Sequence, residues 1–311
     1  MNVLLIGSGG REHAIAWKLK KDNPDIKLFC APGNGGTALI GENIDIAAND
    51  LDKLLAFAQE NEIELTIVGS EEPLTLGICD LFEKNKLRIF GPNKAAARLE
   101  GSKGFAKRFM RKYDIPTAKY QEYGNFFVSG SNILSSAEYP IVIKADGLAA
   151  GKGVKVCQNK EEALEFAREM FAKHDSVVLE ERLTGWEVSL LVFTDGRNYR
   201  VMPPSMDHKR AFDNDQGDNT GGMGAISPVP KFTDSLRAEC ERIIDKTLSG
   251  LRAEGIIYRG VLYFGLMITD DGPKVIEYNC RFGDPETQAI LPRLKNNLLD
   301  IMFACIGGTV S

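Results

Sequence analysis

Short apolar runs alternate with helical patterns through the first hundred residues, and this alternation constrains the fold more than any other feature. The strand-like runs are residues 2–6, 27–30, 65–68 and 87–90. Between them lie helical patterns at residues 12–20, 51–60 and 74–84. Strands that alternate with helices are typical of a parallel sheet covered on both faces. We therefore expect an α/β domain at residues 1–102.

The pattern changes at Ile115-Pro116, where proline ends a predicted helix at residues 103–113. The part that follows is dominated by strands and is typical of an α+β structure. Its predicted strands are residues 141–145, 154–157, 177–181, 187–193, 261–268 and 274–279. Its predicted helices are residues 161–172, 234–253 and 285–294. We expect a second domain at residues 103–311, with a small lobe at about 117–190 and a large lobe at about 191–311.

Charge and cysteine usage narrow the class of protein. Acids and bases are interspersed along the chain at a net charge of −5, which argues against a protein that binds nucleic acid or a membrane surface. The six cysteines form no CxxC pair, and no apolar run approaches the roughly 20 residues of a membrane-spanning helix. These features predict a cytoplasmic protein with reduced, buried thiols.

A glycine-rich loop, GSGGREH, follows the first strand and begins the first helix. Its backbone N–H groups at Gly9, Gly10 and Arg11 suit an anion at a helix N-terminus. The dinucleotide-binding pattern requires a third glycine where this chain has Glu12, and the second strand has no acid after it to bind a ribose. A nicotinamide cofactor is therefore disfavoured, and a sugar-phosphate site or a merely structural turn remains.

A second glycine-rich loop joins two predicted strands, from Lys144 to Val154. It is not a phosphate-binding loop of the GxxxxGK[ST] type, because glycine follows Lys152 and no helix begins there. Glycines at 147, 151 and 153 with lysines at the strand end and the tip suit a mobile flap over nucleotide phosphates. An ordinary hairpin is the alternative.

The strand at residues 177–181 leads through Arg182-Leu183 to Glu187. Its polar end, at Glu180 and Glu181, can present backbone groups to an adenine edge, and a carboxylate a few residues later can accept both ribose hydroxyls. A solvated strand end is the alternative.

The run EYNCRFGDPE carries the most chemistry. Side chains alternate along a strand, so Glu277, Asn279 and Arg281 share one face. A carboxylate and an amide oxygen two residues apart form a hard oxygen site for Mg²⁺. The arginine can hold a carboxylate or a transferring phosphoryl group with two hydrogen bonds.

A charged loop runs from Asp207-His208-Lys209-Arg210 to Asn219-Thr220-Gly221-Gly222-Met223-Gly224. Asp213 and Asp215 can bind an ammonium group, and the basic side chains and free N–H groups can bind phosphate. The loop is longer than ordinary connections and charge-dense, so we favour a substrate loop over a plain surface loop.

Seven segments of the chain, taken in order, resemble the phosphoribosylamine–glycine ligase family of the ATP-grasp superfamily. They are GSGGREH, GPNKAAARLEGSK, VIKADGLAAGKGV, EERLTGWEVS, HKR, NTGGMGA and EYNCRFGDPE. The resemblance implies a Rossmann-like N-terminal domain followed by an ATP-grasp domain of two lobes. It also implies the reaction of ATP, glycine and 5-phosphoribosylamine, through glycyl phosphate, to glycinamide ribonucleotide, ADP and phosphate in purine biosynthesis.

The resemblance further implies roles for individual residues. Lys103 and Lys144 would hold ATP phosphates beneath the 147–153 flap, with Glu180, Glu181 and Leu183 at the adenine and Glu187 on the ribose. Glu277 and Asn279 would hold Mg²⁺ or Mn²⁺. The remaining implied substrate residues, for glycine, acyl phosphate and sugar phosphate, are Gly9, Gly10, Arg11, Asp213, Asn219, Thr220, Gly221, Gly222, Arg281 and Asp284. We expect Arg281, Lys144 and Asp213 to act in catalysis.

Two departures from the family pattern qualify these expectations. The strand at residues 260–268 lacks a second metal-binding carboxylate and has Gly265 near its expected place. The sequence also stops before the family's C-terminal domain, so we expect either a fragment of a longer enzyme or one half of a split enzyme, with a separate chain that supplies this domain as the candidate partner in the second case. Two alternatives stay open: another ATP-grasp carboxylate–amine ligase, and a nucleotide-binding fragment inactive without that domain.

Overall fold

A computed structural model describes residues 1–124, 134, 137–148, 153–213 and 216–311, and its N-terminal part is a parallel five-stranded sheet. In spatial order the strands are β3 (Glu42–Asn43), β2 (Lys27–Pro32), β1 (Asn2–Gly7), β4 (Leu65–Val68) and β5 (Ile89–Phe90). All neighbouring pairs run parallel. The side chains of Val3 to Ile6 are fully buried, as expected for a central strand covered on both faces.

The helices of this part are α1 (Gly10–Asp22), α2 (Leu51–Glu60), α3 (Glu71–Leu76), α4 (Ile78–Lys84) and α5 (Lys94–Gly101). The predicted single helix at residues 74–84 was wrong, because Gly77 has a φ of +99° and separates α3 from α4. The predicted strand at residues 87–90 is also shorter than expected. Leu87 donates its N–H to the Phe82 carbonyl, so it ends α4 and leaves only two residues to pair.

After α6 (Lys103–Lys112) comes an antiparallel four-stranded sheet, which we call the small sheet. Its spatial order is β6 (Tyr120–Gly124), β9 (Ser176–Glu181), β7 (Ile141–Ala145) and β8 (Val154–Cys157). Helix α7 (Lys160–Phe171) packs one apolar face against it, through Ala163, Phe166, Ala167 and Met170. The predicted β7 and β8 are confirmed residue for residue.

A second antiparallel sheet, the large sheet, has the order β11 (Tyr199–Val201), β10 (Trp186–Thr194), β16 (Gly260–Thr269) and β17 (Gly272–Asn279). Helix α8 (Asp234–Ala253) packs behind it, where Thr247 Oγ1 lies 3.0 Å from the Tyr278 hydroxyl. Two short antiparallel pairs precede α8. They are β12 (Met206–Asp207) with β15 (Ala225–Ile226), and β13 (Arg210–Phe212) with β14 (Gln216–Asn219).

The chain ends with α9 (Glu286–Ile290), a 3₁₀ turn (Leu291–Arg293) and α10 (Leu298–Gly307). The predicted helix at residues 285–294 thus forms only as one short helix and a turn, and α10 was not predicted. The large sheet and the N-terminal sheet share hydrophobic cores, one of which joins Leu4 to Phe264 and another Ile15 to Phe282. This packing brings the end of β17 against the first glycine-rich loop. Among the described residues, no helix has the length and apolar character needed to cross a membrane.

Candidate active site

A continuous cleft lies between the small and large sheets. Its polar part has a volume of about 130 Å³ and is lined by Lys103, Lys144, Glu180, Glu277, Asn279 and Arg281. An adjoining apolar part is lined by Val142, Val156, Leu183, Met267 and Ile276. Lys144, Val154 and Ile276 belong to both parts, so the two form one elongated site. An apolar end that opens into a strongly charged end matches a base joined to phosphates.

A β-bulge in β17 shapes the middle of the cleft. Gly265 on β16 pairs with Glu277, whereas the next residue, Leu266, pairs with Val275, so Ile276 is the extra residue. A bulge leaves one residue outside the regular pairing and redirects side chains. The Ile276 carbonyl accepts a hydrogen bond of 3.0 Å from Lys144 Nζ, and both Ile276 and Glu277 line the cleft.

Beyond the bulge the alternation expected from the sequence is observed. Asn279 and Arg281 line the cleft with Glu277, while Cys280 is buried in the core. Tyr278 also borders the cleft, but its ring packs edge to face on Phe264 in the core. Buried aromatic and thiol side chains on one face therefore anchor the strand that presents the polar ones on the other.

Glu277 is the electrostatic centre of the polar end. Burial raises the pKa of its carboxyl group, but this effect is outweighed and the pKa lies below its ordinary value. The cations responsible are, in order of effect, Lys209, Lys144, Lys103 and Arg281. Glu277 is therefore a carboxylate at neutral pH, surrounded by positive charge that can also receive phosphate oxygens.

The donor set at Glu277 and Asn279 fits a hard divalent cation, because a charged carboxylate and an amide oxygen project from one strand face. A side chain at Gly265 on β16 would be crowded beside them, because a Cβ there would lie 3.0 Å from Glu277 Cγ. Within the described residues, no group of three or more His, Cys, Asp or Glu side chains is placed to hold a metal. Further ligands would have to come from water or nucleotide phosphates.

Lys144 and Glu180 form a buried ion pair across β7 and β9. Lys144 Nζ lies 3.1 Å from Glu180 Oε1, and Lys107 Nζ lies 2.9 Å from Glu180 Oε2. Burial lowers the pKa of Lys107 to about 8, against the opposing effect of Glu180. Glu180 Oε1 makes the ion pair with Lys144 but no hydrogen bond in the part of the chain that the structure describes, so its side chain as well as its backbone borders the cleft.

The apolar end is bounded by the β9–β10 connection. Glu187 pairs with Lys209 at 3.1 Å on the rim of the cleft. Gly185 packs so closely on the Ile268 carbonyl that a Cβ would overlap it, which holds this connection on the large sheet. The structure does not bring the Glu181 side chain into the cleft. It accepts a hydrogen bond of 2.9 Å from the Lys119 amide, because alternation directs it away from Glu180.

Lys103, the first residue of α6, reaches the base of the predicted flap. Its Nζ donates a 2.7 Å hydrogen bond to the Gly147 carbonyl, and burial lowers its pKa despite the opposing charge of Glu277. Gly147 has a φ of +112°, and the Ala145 N–H donates to the Gly153 carbonyl at 2.7 Å. Gly151 and Lys152, also predicted here, lie outside the described residues.

The first glycine-rich loop is tied to the segment that follows β17. The Gly9 N–H donates to Glu12 Oε2 at 2.5 Å, and the Arg11 N–H donates to Asp284 Oδ2 at 3.1 Å. A Cβ on Gly10 would lie 2.7 Å from Gln288 Nε2, so a larger residue would displace the end of the Gln288 side chain. Glu12, in the place of a third glycine, acts as a buried anchor for this loop.

Arg11 and Arg281 meet at acids that sequence reasoning missed. Arg281 Nη2 lies 2.8 Å from Glu100 Oε1, and Arg281 Nε lies 3.5 Å from Glu71 Oε2. Arg11 Nη2 lies 3.0 Å from the same Glu71 oxygen. Glu100 lies within the GPNKAAARLEGSK segment but was given no role there, and Glu71 lies in no segment that the sequence analysis singled out. Only the packing of α3 and α5 against the end of β17 reveals them.

The charged loop folds back on itself beside the cleft. The Met223 N–H donates to the His208 carbonyl at 2.8 Å, and the Thr220 N–H donates to the Lys209 carbonyl at 2.6 Å. A Cβ on Gly222 would lie 2.5 Å from Pro285 Cδ, whereas Gly221 faces open space. Asn219 ends β14 and Asp213 is exposed in the turn after β13, while Asp215 lies outside the described residues.

Asp207, at the start of this loop, carries an unusual carboxyl group that the sequence did not single out. Its Oδ1 is buried and has no hydrogen-bond partner in the part of the chain that the structure describes. Burial, reinforced by the charge of Glu286, raises its pKa to about 6 despite nearby Lys209. Glu286 is itself buried, with its Oε1 2.8 Å from Ser189 Oγ and 3.1 Å from the Tyr263 hydroxyl.

We expect Asp207→Asn to stabilise the protein in a pH-dependent way. Because the folded-state pKa is above the unfolded one, ionisation of Asp207 costs stability, and this cost appears as pH rises from about 4 through about 6. The variant should melt near the wild-type temperature at about pH 4 and on the order of 2–4 °C higher at about pH 7.5. Thermal unfolding followed by circular dichroism measures this. Asp213→Asn, at an exposed position, is the control, and an offset independent of pH would contradict the assignment.

Comparison with known proteins identifies relatives over the whole chain. Residues 1–100 match the family model of the phosphoribosylglycinamide synthetase N domain, and residues 101–287 match that of its ATP-grasp (A) domain. Phosphoribosylamine–glycine ligases of Pasteurella multocida (strain Pm70) and Yersinia pestis are each 50% identical to this chain, over 99% of it and 74% of their own length.

Solved structures agree with these matches. The crystal structure of phosphoribosylamine–glycine ligase from Thermotoga maritima is similar with a TM-score of 0.85 and 37% identity, covering 100% of this chain and 76% of that one. The biotin carboxylase domain of 2-oxoglutarate carboxylase from Hydrogenobacter thermophilus shares the fold, with a TM-score of 0.76 at 16% identity over 99% of this chain and 69% of that one.

Proposed function

Because the chain belongs to the phosphoribosylglycinamide synthetase family, whose members are named phosphoribosylamine–glycine ligases, we propose that its cleft joins glycine to 5-phosphoribosylamine with ATP. ATP phosphorylates the glycine carboxylate, and the amine of phosphoribosylamine attacks the resulting glycyl phosphate. The products are glycinamide ribonucleotide, ADP and phosphate. The observation that carries this assignment is the continuous cleft, which joins an apolar pocket to Glu277 and its surrounding cations.

In this proposal ATP lies along the cleft from the apolar end to the polar end. The adenine packs between Val142 and Met267 and bonds to backbone groups near Leu183, with Glu187 at the ribose. Lys144 and Lys103 receive the phosphates. Support comes from the position of Lys144 in both parts of the cleft and from its anchoring to the Ile276 carbonyl, which aims a buried ammonium group along it.

We further propose that Glu277 and Asn279 hold Mg²⁺ or Mn²⁺. When bound, this ion would neutralise negative charge on the phosphates. The charged state of Glu277 and the oxygen donors on one strand face support this. The protein's own groups then align the reactants. Phosphoryl transfer requires charge neutralisation and alignment more than covalent help from the protein.

Glycine and the sugar phosphate are placed at the two sides of Arg281. Its guanidinium can bind the glycine carboxylate and then the acyl phosphate, next to the folded 219–224 loop. The loop of Gly9, Gly10 and Arg11 would hold the sugar phosphate. The N–H groups of Gly9 and Arg11 already donate to Glu12 and Asp284, so in this proposal the Arg11 guanidinium, which shares the Glu71 carboxylate with Arg281, supplies the main phosphate contact. Asp213, which is exposed in the turn after β13, is proposed to bind the ammonium group of glycine.

We also propose that the protein is located in the cytoplasm. This location is supported by cysteine chemistry: all six cysteines are free and buried, as in proteins of a reducing compartment. Partners are proposed to be the small substrates, without nucleic acid or membrane.

The test is release of ADP from Mg-ATP by the purified chain with glycine and freshly generated 5-phosphoribosylamine. Release should require both substrates and should be accompanied by stoichiometric glycinamide ribonucleotide. Replacement of glycine by other amino acids separates this ligase from one with a different acid substrate. ADP release that depends on another acid or amine, or ATP binding without any turnover, would contradict the assignment.

A further inference from the structure

The carboxylate of Glu71 lies between two arginines from different parts of the fold. Its Oε2 is 3.0 Å from Arg11 Nη2, on the first glycine-rich loop, and 3.5 Å from Arg281 Nε, after β17. Burial raises the pKa of Glu71, but Arg281 and Arg11 outweigh burial and hold it below the ordinary value. One charged oxygen is therefore shared by the two arginines, and it is closer to Arg11.

Arg281 is incompletely bonded as a result. Its Nη2 pairs with Glu100 at 2.8 Å and its Nη1 donates to the Phe282 carbonyl at 3.1 Å. Its Nε is buried and lacks a hydrogen-bond partner in the described part of the chain. An unpaired buried donor is costly, and the 3.5 Å separation from Glu71 exceeds the usual N–H···O range. A shift of roughly 0.5 Å would convert this contact into a hydrogen bond.

Arg11 holds Glu71 on the opposite side. It also bonds to Glu12 Oε1 at 2.9 Å, and it lies on the loop proposed for the sugar phosphate. A phosphate dianion at that loop would compete for the guanidinium N–H groups, because charge-assisted bonds to phosphate are strong and often bidentate. Such competition weakens the hold of Arg11 on Glu71 and leaves the carboxylate free to approach Arg281.

We propose that Glu71 is a positioning residue that couples the sugar-phosphate site to the glycine site by transferring its hydrogen bond from Arg11 to Arg281. This inference rests on the proposed function. Occupation of Arg11 by the sugar phosphate completes the bonding of Arg281 and orients its guanidinium for the glycine carboxylate. The consequence is positive coupling: bound phosphoribosylamine strengthens glycine binding, and by thermodynamic linkage glycine strengthens binding of the sugar phosphate.

The kinetic test compares the KM for glycine at low and at saturating phosphoribosylamine. In the wild type, saturation should lower it about fivefold or more, the lower end of typical coupling between sites. In Glu71→Gln the ratio should fall close to one, because a neutral amide does not bind either arginine as an ion. Glu72→Gln, at the exposed neighbouring position of α3, should keep the wild-type ratio.

An equilibrium measurement separates coupling from direct contact. Calorimetry with ribose 5-phosphate, which lacks the reactive amine, should show that Glu71→Gln binds this probe at least as tightly as the wild type. If the variant binds it about tenfold more weakly and the ratio of KM values is unchanged, Glu71 contacts the sugar directly and the coupling is refuted. The coupling is also refuted if Glu71→Gln changes neither the ratio of the KM values for glycine nor the affinity for ribose 5-phosphate.

Two further controls keep the test decisive. If Glu71→Gln does not fold, as judged by thermal unfolding, Glu71→Asp replaces it; the shorter carboxylate cannot remain within reach of both arginines, so coupling should again be lost. An active wild type without substrate coupling overturns this inference alone. A wild type that shows no turnover with glycine and phosphoribosylamine overturns the proposed function and the inference with it.

Discussion

Glu277→Gln is expected to lower kcat for the ligation by about 100-fold or more, the largest effect of any single substitution considered for this chain. The change keeps the shape of the side chain and removes its charge. Four cations hold the pKa of Glu277 below its ordinary value, and they are balanced by this carboxylate. Without it, the proposed metal site loses its only charged ligand, and Mg-ATP is no longer aligned for phosphoryl transfer.

Steady-state release of ADP with saturating glycine and phosphoribosylamine measures this effect. A titration with Mg²⁺ and Mn²⁺ should show, in addition, a requirement for higher metal concentration in the variant. Asp271→Asn is the matched control: it removes an acid from the hairpin between the same two strands, where its side chain is 85% exposed and pairs only loosely with Lys274. If Glu277→Gln keeps more than about a tenth of the wild-type kcat, Glu277 is not the metal-binding carboxylate.

Lys144→Met should lower kcat/KM for ATP by about 100-fold, for a reason that the fold makes specific. The Lys144 ammonium group is anchored by the carbonyl of the bulged residue Ile276 at 3.0 Å and by Glu180 at 3.1 Å. It is thus held at the junction of the apolar and polar parts of the cleft before ATP arrives. A preorganised positive charge requires little rearrangement in the transition state, so its removal affects turnover as well as binding.

The control for this substitution is Lys155→Met on the neighbouring strand β8. Lys155 pairs opposite Ile143 and lies over the Phe166 ring, on the helix side of the small sheet. Activity of that variant should stay within about twofold of the wild type. Because Lys107 still pairs with Glu180 at 2.9 Å, Lys144→Met should remain folded, which circular dichroism can verify. Equal losses in both lysine variants would show that the effect comes from the sheet and not from the cleft.

Secondary structure was predictable wherever one periodicity dominated. Helix α2, strands β4, β7 and β8, and helix α8 have the predicted bounds, because in each the apolar spacing and the turn or capping residues agree. Errors arose where backbone conformation or tertiary packing overrode the pattern. The left-handed conformation of Gly77 divides one predicted helix. The sequence of α10 is apolar on most sides and shows no one-sided helical pattern, and only its packing against β5 and β16 identifies it as a buried helix.

Part of the site could also be predicted from the residues. Alternation along β17 and the residues after it placed Glu277, Asn279 and Arg281 on one face, and the glycine-rich loop pattern pointed to Lys144. The family resemblance extended the prediction to Lys103, which lines the same cleft. Glu71 escaped prediction because nothing in its local sequence distinguishes it from other helical acids. Glu100 lies in the quoted GPNKAAARLEGSK segment, but local sequence does not show that it pairs with Arg281. The Glu180 side chain points towards two lysines, and the Glu181 side chain points away from them. This arrangement also depends on strand pairing that local sequence does not encode.

Local sequence by itself determined the chemistry that this chain carries: the glycine-rich loops, the lysine at the end of β7 and the oxygen donors of β17 are set by residue type and by the two-residue period of a strand. Tertiary structure decided how those groups act together. A one-residue bulge presents the Ile276 carbonyl to Lys144, and packing of the N-terminal sheet against the large sheet places Arg11 and Arg281 on one carboxylate. The physical reason is that Coulomb interactions and hydrogen bonds act over a few ångströms in space, whereas Arg11 and Arg281 are far apart along the chain.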